Sequence, residues 1–273
     1  MFQAIALSRR RHRLAVAAPA PYGRFTSTLT PVGPVAVHAR VGGTGPGPRI
    51  VLVHGLAVSH RYLMPTAALL ARRHRVAVPD LPGFGLSGEP GAVLGLRALA
   101  DALGGWLDAT GGGPVVLLGN SFGCQVIVDL VVRRPELAAA LVLAGPTVDP
   151  AARSAPRQVL RWLADAVLED PTQATVLLRD ARDAGPHRIL GTLRHAVADR
   201  IEDKLPLVTA PTLVVRGGVE PIVPRRWARE AAGLLPYGEL VELPGSPHNT
   251  VYSAAGALTD AVETFLARAL TPA

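Results

Sequence analysis

Short apolar runs rich in β-branched residues alternate with longer amphipathic stretches through the middle and end of the chain. Each run is about five residues long and apolar on both faces, which is typical of central strands in a parallel sheet that helices cover on each side. This alternation predicts a doubly wound, mostly parallel α/β sheet with right-handed crossovers. The predicted strands are residues 49–53, 75–79, 114–118, 139–143 and 212–216, and the predicted helices are residues 61–72, 93–109, 122–134, 224–235 and 254–269.

The N-terminal part of the pattern differs from the rest, because two β-type runs there are joined by a tight turn instead of a helix. Residues 26–30 and 35–40 flank Pro31-Val-Gly-Pro34, whose glycine and prolines are typical of turns. These residues predict an antiparallel hairpin on one edge of the sheet. Residues 1–24 precede this hairpin, and we expect them to form a disordered extension.

A long segment between two predicted strands has no strand pattern of its own. From residue 146 to residue 205 only amphipathic helical patterns occur, as in residues 157–168 and 171–184. We therefore predict that residues 146–205 form a helical cap, inserted into one core that residues 25–145 and 206–273 build together.

The composition narrows the class of protein. The chain has 273 residues, of which 49% are hydrophobic, and its single cysteine, Cys124, can form no internal disulfide and no cysteine-ligated zinc site. The net charge of +7 would suit a nucleic-acid partner, but five arginines and no acidic residue lie in the first 24 positions, which leaves +2 for residues 25–273. Since no basic stripe with interleaved aromatic residues follows, we expect no nucleic-acid partner.

The sequence also bears on location. Ser8-Arg9-Arg10 and the apolar residues 14–20 leave export open, but this run is short and contains Pro19, so we expect a cytoplasmic protein. Residues 109–128 carry no charge, yet five glycines and Pro114 divide them into a turn, a strand and a second turn. We therefore predict no membrane span.

A motif typical of a catalytic serine lies where a predicted strand meets a predicted helix. Gly119-Asn120-Ser121-Phe122-Gly123 fits the G-x-S-x-G pattern in the strand–turn–helix context that this pattern requires. The glycines leave room for a tight turn that raises the serine oxygen at the carboxyl edge of the sheet, where open α/β sheets bind ligands. Ser121 is therefore the candidate nucleophile, and the alternative is a glycine-rich turn whose serine only caps the helix.

A serine nucleophile needs a base within hydrogen-bond reach, and the base needs a carboxylate that fixes its tautomer. His248 follows a late apolar run and precedes the last predicted helix, which places it on a loop at the same edge of the sheet. Glu220 follows a predicted strand in the same way. The chain order Ser121, Glu220, His248 matches one known triad order, and Asp149, after the strand that precedes the cap, is the alternative acid.

Backbone N–H groups must then stabilise the negative oxygen that forms during acyl transfer. Phe122, directly after the nucleophile, supplies one donor of this oxyanion hole. Leu56, in the loop Val53-His-Gly-Leu-Ala57 after a predicted strand, is expected to supply the other. We interpret His54 in the same loop as a residue that shapes the loop.

The candidate residues lie in segments that follow one another in a characteristic order. These segments are Val51–Gly55, Asp80–Ser87, Gly119–Gly123, Gly217–Glu220 and Gly245–His248. Together they resemble the landmarks of the α/β-hydrolase superfamily in its capped, single-domain branch. The resemblance covers about residues 25–270 and implies an eight-stranded sheet, a helical cap over the active site, and neither a cofactor nor a metal. Ser121, where the dehalogenase and epoxide-hydrolase branches have aspartate, disfavours those branches.

We therefore predict a serine hydrolase that cleaves an ester, thioester or lactone of a small, fairly apolar substrate through an acyl-enzyme intermediate. Three alternatives stay open. The segment Gly119–Gly123 also resembles that of carbon–carbon bond hydrolases acting on ring-cleavage products, and a biosynthetic thioesterase or cyclase would use the same residues. A non-catalytic ligand-binding protein could use the same scaffold. The expected partner is a small-molecule substrate, and the expected assembly is a monomer or a homodimer.

Overall fold

Residues 25–270, which are the residues that the computed structural model describes, contain one sheet with helices on both faces. The extension predicted for residues 1–24 lies outside the described residues, as do residues 271–273. The strands are β1 (Phe25–Val32), β2 (Val35–Gly42), β3 (Ile50–Val53), β4 (Val76–Pro79), β5 (Val115–Asn120), β6 (Ala138–Ala144), β7 (Thr212–Gly217) and β8 (Gly238–Leu243).

The eight strands lie in the order β1-β2-β4-β3-β5-β6-β7-β8. The β1–β2 hairpin and the β2–β4 pair are antiparallel, and every other pair is parallel. The predicted doubly wound, mostly parallel sheet with a hairpin at one edge is confirmed.

Ten helices connect and flank the strands within the described residues. The predicted helix 93–109 begins three residues later, because Gly95 has an extended backbone. The helices are α1 (His60–Leu70), α2 (Leu96–Ala109), α3 (Phe122–Arg133), α4 (Ala155–Ala166), α5 (Ala174–Ala184), α6 (Pro186–Ala198), α7 (Ile201–Lys204), α8 (Arg225–Leu234), α9 (Thr250–Ser253) and α10 (Ala255–Ala269).

The central strands are apolar on both faces because each face of the sheet contacts a layer of helices. Every residue of β3 and β5 is buried. One layer, with α2, α3 and α8, contributes the buried side chains of Trp106, Phe122 and Trp227. The opposite layer, with α1 and α10, contributes those of Tyr62 and Phe265. The sheet is therefore the middle layer between two apolar cores.

The connection between β6 and β7 is helical throughout. Residues 145–211 are all described and contain α4, α5, α6 and α7 but no strand, as the sequence predicts for the segment between these two strands. The predicted helix 171–184 is a short 3-10 turn at Pro171–Gln173 followed by α5. In the part of the chain that the structure describes, no helix has both the length and the hydrophobicity needed to cross a membrane.

Candidate active site

The turn between β5 and α3 holds Ser121 in an unusual backbone conformation, with φ at 54° and ψ at −120°. A residue other than glycine adopts a positive φ at a cost that the surrounding structure must offset. A Cβ atom at Gly119 would lie 2.7 Å from the backbone of Gly123, and one at Gly123 would lie 2.3 Å from the carbonyl oxygen of Val53. The turn therefore needs both glycines of the motif.

The imidazole of His248 lies against the carboxylate of Glu220. The Nδ1–H of His248 donates to Oε2 of Glu220 at 2.5 Å, and the backbone N–H of Gly217 donates to Oε1 at 2.9 Å. The side chains of His248 and Glu220 are 5% and 0% exposed. Arg216 donates to the backbone carbonyl of Glu220 and so braces the loop that carries the acid. Glu220 thus fixes the tautomer of His248 that leaves Nε2 as an acceptor.

The second ring nitrogen of His248 is available for proton transfer. His248 and Ser121 line the same cavity, and Nε2 is buried with no hydrogen-bond partner among residues 25–270. Burial lowers the pKa of His248, but the Glu220 carboxylate outweighs it, and the pKa is raised above its usual 6.5. A Cβ atom at Gly145 would lie 2.7 Å from Cε1 of His248, so the absence of a side chain there admits the ring.

A chain of hydrogen bonds links the serine turn to the loop after β3. The backbone N–H of Gly55 donates to the hydroxyl of Tyr62 at 2.9 Å, and this hydroxyl donates to Oδ1 of Asn120 at 2.7 Å. Asn120 also donates to the carbonyl of Ala144 at 3.1 Å. A Cβ atom at Gly55 would lie 3.2 Å from the Cβ of Ser121, so the two segments approach closely. Tyr62 and Asn120, which the sequence motif does not single out, thus fix the distance between the two segments.

The predicted oxyanion donors lie on either side of this link. Phe122 is the first residue of α3, and N–H groups at a helix N-terminus lack a partner within the helix and carry partial positive charge. Leu56 follows Gly55 and lines the cavity with Ser121. Their role as donors to a negative oxygen stays a prediction.

His54 has both ring nitrogens engaged. Its Nδ1–H donates to the carbonyl of Gly55 at 2.7 Å, and its Nε2 accepts from the backbone N–H of Leu81 at 2.9 Å. Burial lowers the pKa of His54, which keeps the ring neutral. The side chain therefore ties the loop after β3 to the loop after β4.

Asp149, the alternative acid, belongs to a different network. Its carboxylate accepts from Arg161 at 2.9 Å, from Arg226 at 2.6 Å and from the backbone N–H of Ala151 at 3.0 Å. Within residues 25–270, none of these hydrogen bonds reaches His248. Burial alone would raise the pKa of Asp149, but the two guanidinium groups outweigh it and lower the pKa. The structure brings Glu220, and not Asp149, to the histidine.

Two carboxylates from the segment after β6 hold the loop that carries His248. Asp165 on α4 accepts from the backbone N–H of His248 at 3.1 Å, and Glu169 accepts from that of Asn249 at 2.6 Å. Gln173 donates to the other oxygen of Glu169 at 2.6 Å. Burial raises the pKa of Glu169 to about 7, and the neighbouring Asp165 carboxylate acts in the same direction. Sequence reasoning missed both acids, because no local motif marks partners about 80 residues away.

A cavity of about 690 Å³ lies between the serine turn and helices α4 and α5, a size usual for small-molecule sites. Three carboxylates line it, whereas no lysine or arginine from residues 25–270 does. The acids are Asp165, Glu169 and Asp170, and the apolar lining includes Leu56, Trp162, Leu177 and Ile222. The walls thus suit an apolar molecule without negative charge.

A buried cluster of His38, His60 and Asp80 has the residue types of a metal site. However, Nδ1–H of each histidine donates to the Asp80 carboxylate, at 2.8 Å for His38 and 2.9 Å for His60. The backbone N–H of Leu86 donates to the same carboxylate at 2.9 Å. A nitrogen that donates its proton has no lone pair for a metal, so the cluster acts as a hydrogen-bonded brace for the loop after β4.

Comparisons with known proteins bear on the family and the fold. The model of a family described as "Alpha/beta hydrolase family" matches residues 50–261. Polyketide synthase ThaQ of Burkholderia thailandensis is 29% identical over 278 aligned positions, which cover 93% of this chain and 13% of ThaQ. Lipase LipV of Mycobacterium tuberculosis is 37% identical over 132 positions, which cover 48% of each protein.

Among solved structures, the enol-lactonase from Burkholderia xenovorans is similar, with a TM-score of 0.72 and 24% identity over 88% of this chain and 100% of the lactonase chain. This likeness shows the fold. The chain spans 13% of the length of ThaQ and 48% of that of LipV, so each of these curated relatives is matched only in part.

Proposed function

We propose that this chain, which belongs to the alpha/beta hydrolase family, is a serine hydrolase that cleaves an ester, thioester or lactone of a small, apolar substrate. One observation carries the proposal: His248 binds the buried Glu220 carboxylate through Nδ1 and lines one cavity with the strained Ser121. A nucleophile, a base and an orienting acid are the three groups that acyl transfer through a covalent intermediate requires.

In the proposed mechanism, the hydroxyl oxygen of Ser121 attacks the carbonyl carbon of the substrate while Nε2 of His248 takes the hydroxyl proton. Glu220 stabilises the imidazolium that forms. The N–H groups of Phe122 and Leu56 stabilise the negative oxygen of the tetrahedral intermediate. His248 then protonates the leaving alcohol or thiol. In the second half, Nε2 of His248 takes a proton from water, whose oxygen attacks the acyl carbonyl carbon. The bond between the acyl group and Ser121 then breaks, and His248 returns the proton to the serine oxygen as the acid is released.

The charge of the cavity favours some substrates over others. Three lining carboxylates and the lack of a lysine or arginine in the described lining disfavour an anionic substrate, because its charge would find no partner there. This argues against the ring-cleavage dienoates of the carbon–carbon bond hydrolases, which carry a carboxylate. A neutral ester, thioester or lactone fits the same walls.

A thioester is the second candidate among these neutral groups. The similarity to a segment of the polyketide synthase ThaQ over 93% of this chain favours it, because polyketide assembly proceeds through acyl thioesters. In either case we propose that residues 146–205 form a cap over the cavity, since α4 and α5 supply much of its wall.

The test is the Ser121→Ala variant, measured with a short p-nitrophenyl ester and with a fluorophosphonate probe. We expect turnover to fall at least about a thousandfold and the probe to label wild-type Ser121 only. Ser253→Ala, outside the cavity lining, is the matched control and should keep both signals. Equal turnover in folded Ser121→Ala, or no labelling of the wild-type protein, would leave a ligand-binding protein as the better reading.

A further inference from the structure

An ordinary surface helix buries its apolar face and exposes its polar face. Helix α4 does the opposite. Its buried residues are Gln158 and Asp165. Its leucines and the valine that follows it are exposed instead: 66% for Leu160, 64% for Leu163 and 82% for Val167. Asp165 faces inward because it accepts the backbone N–H of His248. The orientation is therefore fixed by the site, and the apolar stripe points away from the protein.

The neighbouring helix α5 repeats this arrangement. Its buried residue is Asp180, which accepts from Ser59 and pairs with Arg61, whereas Leu178 is 72% exposed. Six of the eleven large apolar side chains exposed within the described residues fall between positions 159 and 178, so this is a patch and not a scatter. We call it the outer apolar face, and its members are Val159, Leu160, Leu163, Val167, Leu168 and Leu178.

The outer apolar face continues into the cavity. Val167 and Leu178 are exposed and also belong to the cavity lining. An apolar molecule that lies against these two side chains is thus also in contact with the cavity lining. A second copy of the chain placed there would cover the cavity mouth, whereas a fluid lipid surface would supply molecules to it.

The charges around the face favour a negatively charged surface. Every exposed charged residue on α4 and α5 is an arginine, namely Arg157, Arg179 and Arg182, while Asp165 and Asp180 are buried. Two copies docked through this face would bring like charges together, but anionic lipid headgroups would pair with them.

We propose that the outer apolar face docks onto an anionic lipid surface, with its leucines and valines among the acyl chains and its arginines at the headgroups. This is the arrangement of an amphipathic helix that lies in the plane of a membrane interface. The docking rests on exposed residues alone and not on the proposed hydrolase chemistry. Docked in this way, the protein would draw apolar substrates from the lipid phase.

Flotation with lipid vesicles tests the proposal on the full chain. Wild-type protein should bind vesicles of phosphatidylcholine that contain about one quarter phosphatidylglycerol, and bind them more tightly than pure phosphatidylcholine. The double variant Leu160→Ser/Leu163→Ser should bind at least about tenfold more weakly. The double variant Arg179→Gln/Arg182→Gln should bind the anionic vesicles, but not the neutral ones, about 25-fold more weakly, since each arginine contributes about fivefold.

Matched controls separate the face from general hydrophobicity and from catalysis. Leu190 and Leu207 are 55% and 59% exposed outside the face, and Leu190→Ser/Leu207→Ser should bind vesicles like the wild type. Hydrolysis of a water-soluble ester without lipid should be unchanged in the Leu160→Ser/Leu163→Ser variant, because neither residue lines the cavity. If this hydrolysis is absent in the wild type while vesicles still bind, the proposed function fails and the docking stands.

Two results would overturn the docking proposal. One is wild-type protein that binds neither vesicle type. The other is a wild-type dimer that Leu160→Ser/Leu163→Ser converts to a monomer without any vesicle binding, which would assign the face to a second copy of the chain.

Discussion

The sheet core and the helices α4 and α5 differ in which type of side chain they bury. In β3 and β5 every residue is buried, and apart from Gly119 and Asn120 at the end of β5 all are apolar. In α4 and α5 the buried residues are Gln158, Asp165 and Asp180, whereas leucines are exposed. The core is thus held by apolar burial, whereas the fully buried side chains of α4 and α5 are polar and form hydrogen bonds or ion pairs.

This difference separates what keeps the protein folded from what adapts it to a substrate. Apolar burial is the dominant favourable contribution to folding, whereas hydrogen bonds exchanged with water contribute little net. The polar side chains on the inner face of α4 and α5 instead fix the position of other segments. Asp165 holds the loop that carries His248, and Asp180 binds Ser59 and Arg61. Changes in the two regions should therefore show up in different measurements.

The largest effect should come from a polar group buried in the core, Glu220. In Glu220→Gln the amide cannot stabilise the imidazolium of His248, so we expect kcat to fall about a thousandfold with KM little changed. Because Glu220 raises the pKa of His248, the acid limb of the wild-type pH–rate profile should lie above pH 6.5 and move down in the variant. Steady-state kinetics from pH 5 to 9 measures both.

Asp149→Asn is the matched control for this variant. Asp149 binds Arg161 and Arg226 instead of the histidine, so the control should keep kcat within a few fold. A thousandfold loss in Asp149→Asn with a small loss in Glu220→Gln would reverse the assignment of the acid.

The next effect concerns stability and contrasts two leucines. Leu141 in β6 is 0% exposed, and Leu141→Ala should lower the free energy of unfolding by about 2–5 kcal/mol through lost burial and a cavity. Leu163 on α4 is 64% exposed, and Leu163→Ala should change this free energy by no more than about 0.5 kcal/mol. Urea denaturation followed by circular dichroism measures both, and equal losses would mean that the outer apolar face is covered within the protein.

The sequence predicts the core well because burial on both faces leaves a strong local pattern. All five predicted parallel strands are present, and their limits differ from the structure by one or two residues. The serine turn is equally local, since Gly119 and Gly123 are needed to close it. His248 and Glu220 could be predicted because each follows a strand at the same edge of the sheet.

The inner face of the helices could not be predicted in the same way. An amphipathic period in residues 157–168 shows that a helix has two faces, but not which of them meets the protein. That choice is made by partners distant in the chain, such as His248 for Asp165, 83 residues away. The link from Gly55 through Tyr62 to Asn120 was missed for the same reason, as Tyr62 and Asn120 are 58 residues apart.

The third prediction concerns the pH dependence of stability at the inner face. The pKa of Glu169 is about 7 in the folded protein against 4.5 for an ordinary glutamate, so between these values the folded chain holds a proton that the unfolded chain has released. The free energy of unfolding should therefore fall as pH rises from 4.5 through 7, by about 3 kcal/mol from this group. Glu169→Gln lacks this titration.

The measurement is the difference in unfolding free energy between Glu169→Gln and the wild type at pH 5 and at pH 8.5. The free energy of unfolding of Glu169→Gln, relative to that of the wild type, should be higher at pH 8.5 than at pH 5. A difference between Glu169→Gln and wild type that is independent of pH would show that Glu169 is ionised throughout.

The smallest effect tests whether the inner face of α4 serves the site. In Asp165→Ala the buried N–H of His248 loses its acceptor at 3.1 Å, and the loop that carries the imidazole is held less firmly. We expect kcat for a water-soluble ester to fall about tenfold, because a small displacement of the base weakens proton transfer. Asp165→Asn keeps an acceptor oxygen for this N–H and should restore most of this loss. Leu163→Ser, two residues away on the opposite face of α4, should leave kcat unchanged. If Asp165→Ala and Leu163→Ser lower kcat equally, then α4 acts on the site through its overall position and not through the carboxylate.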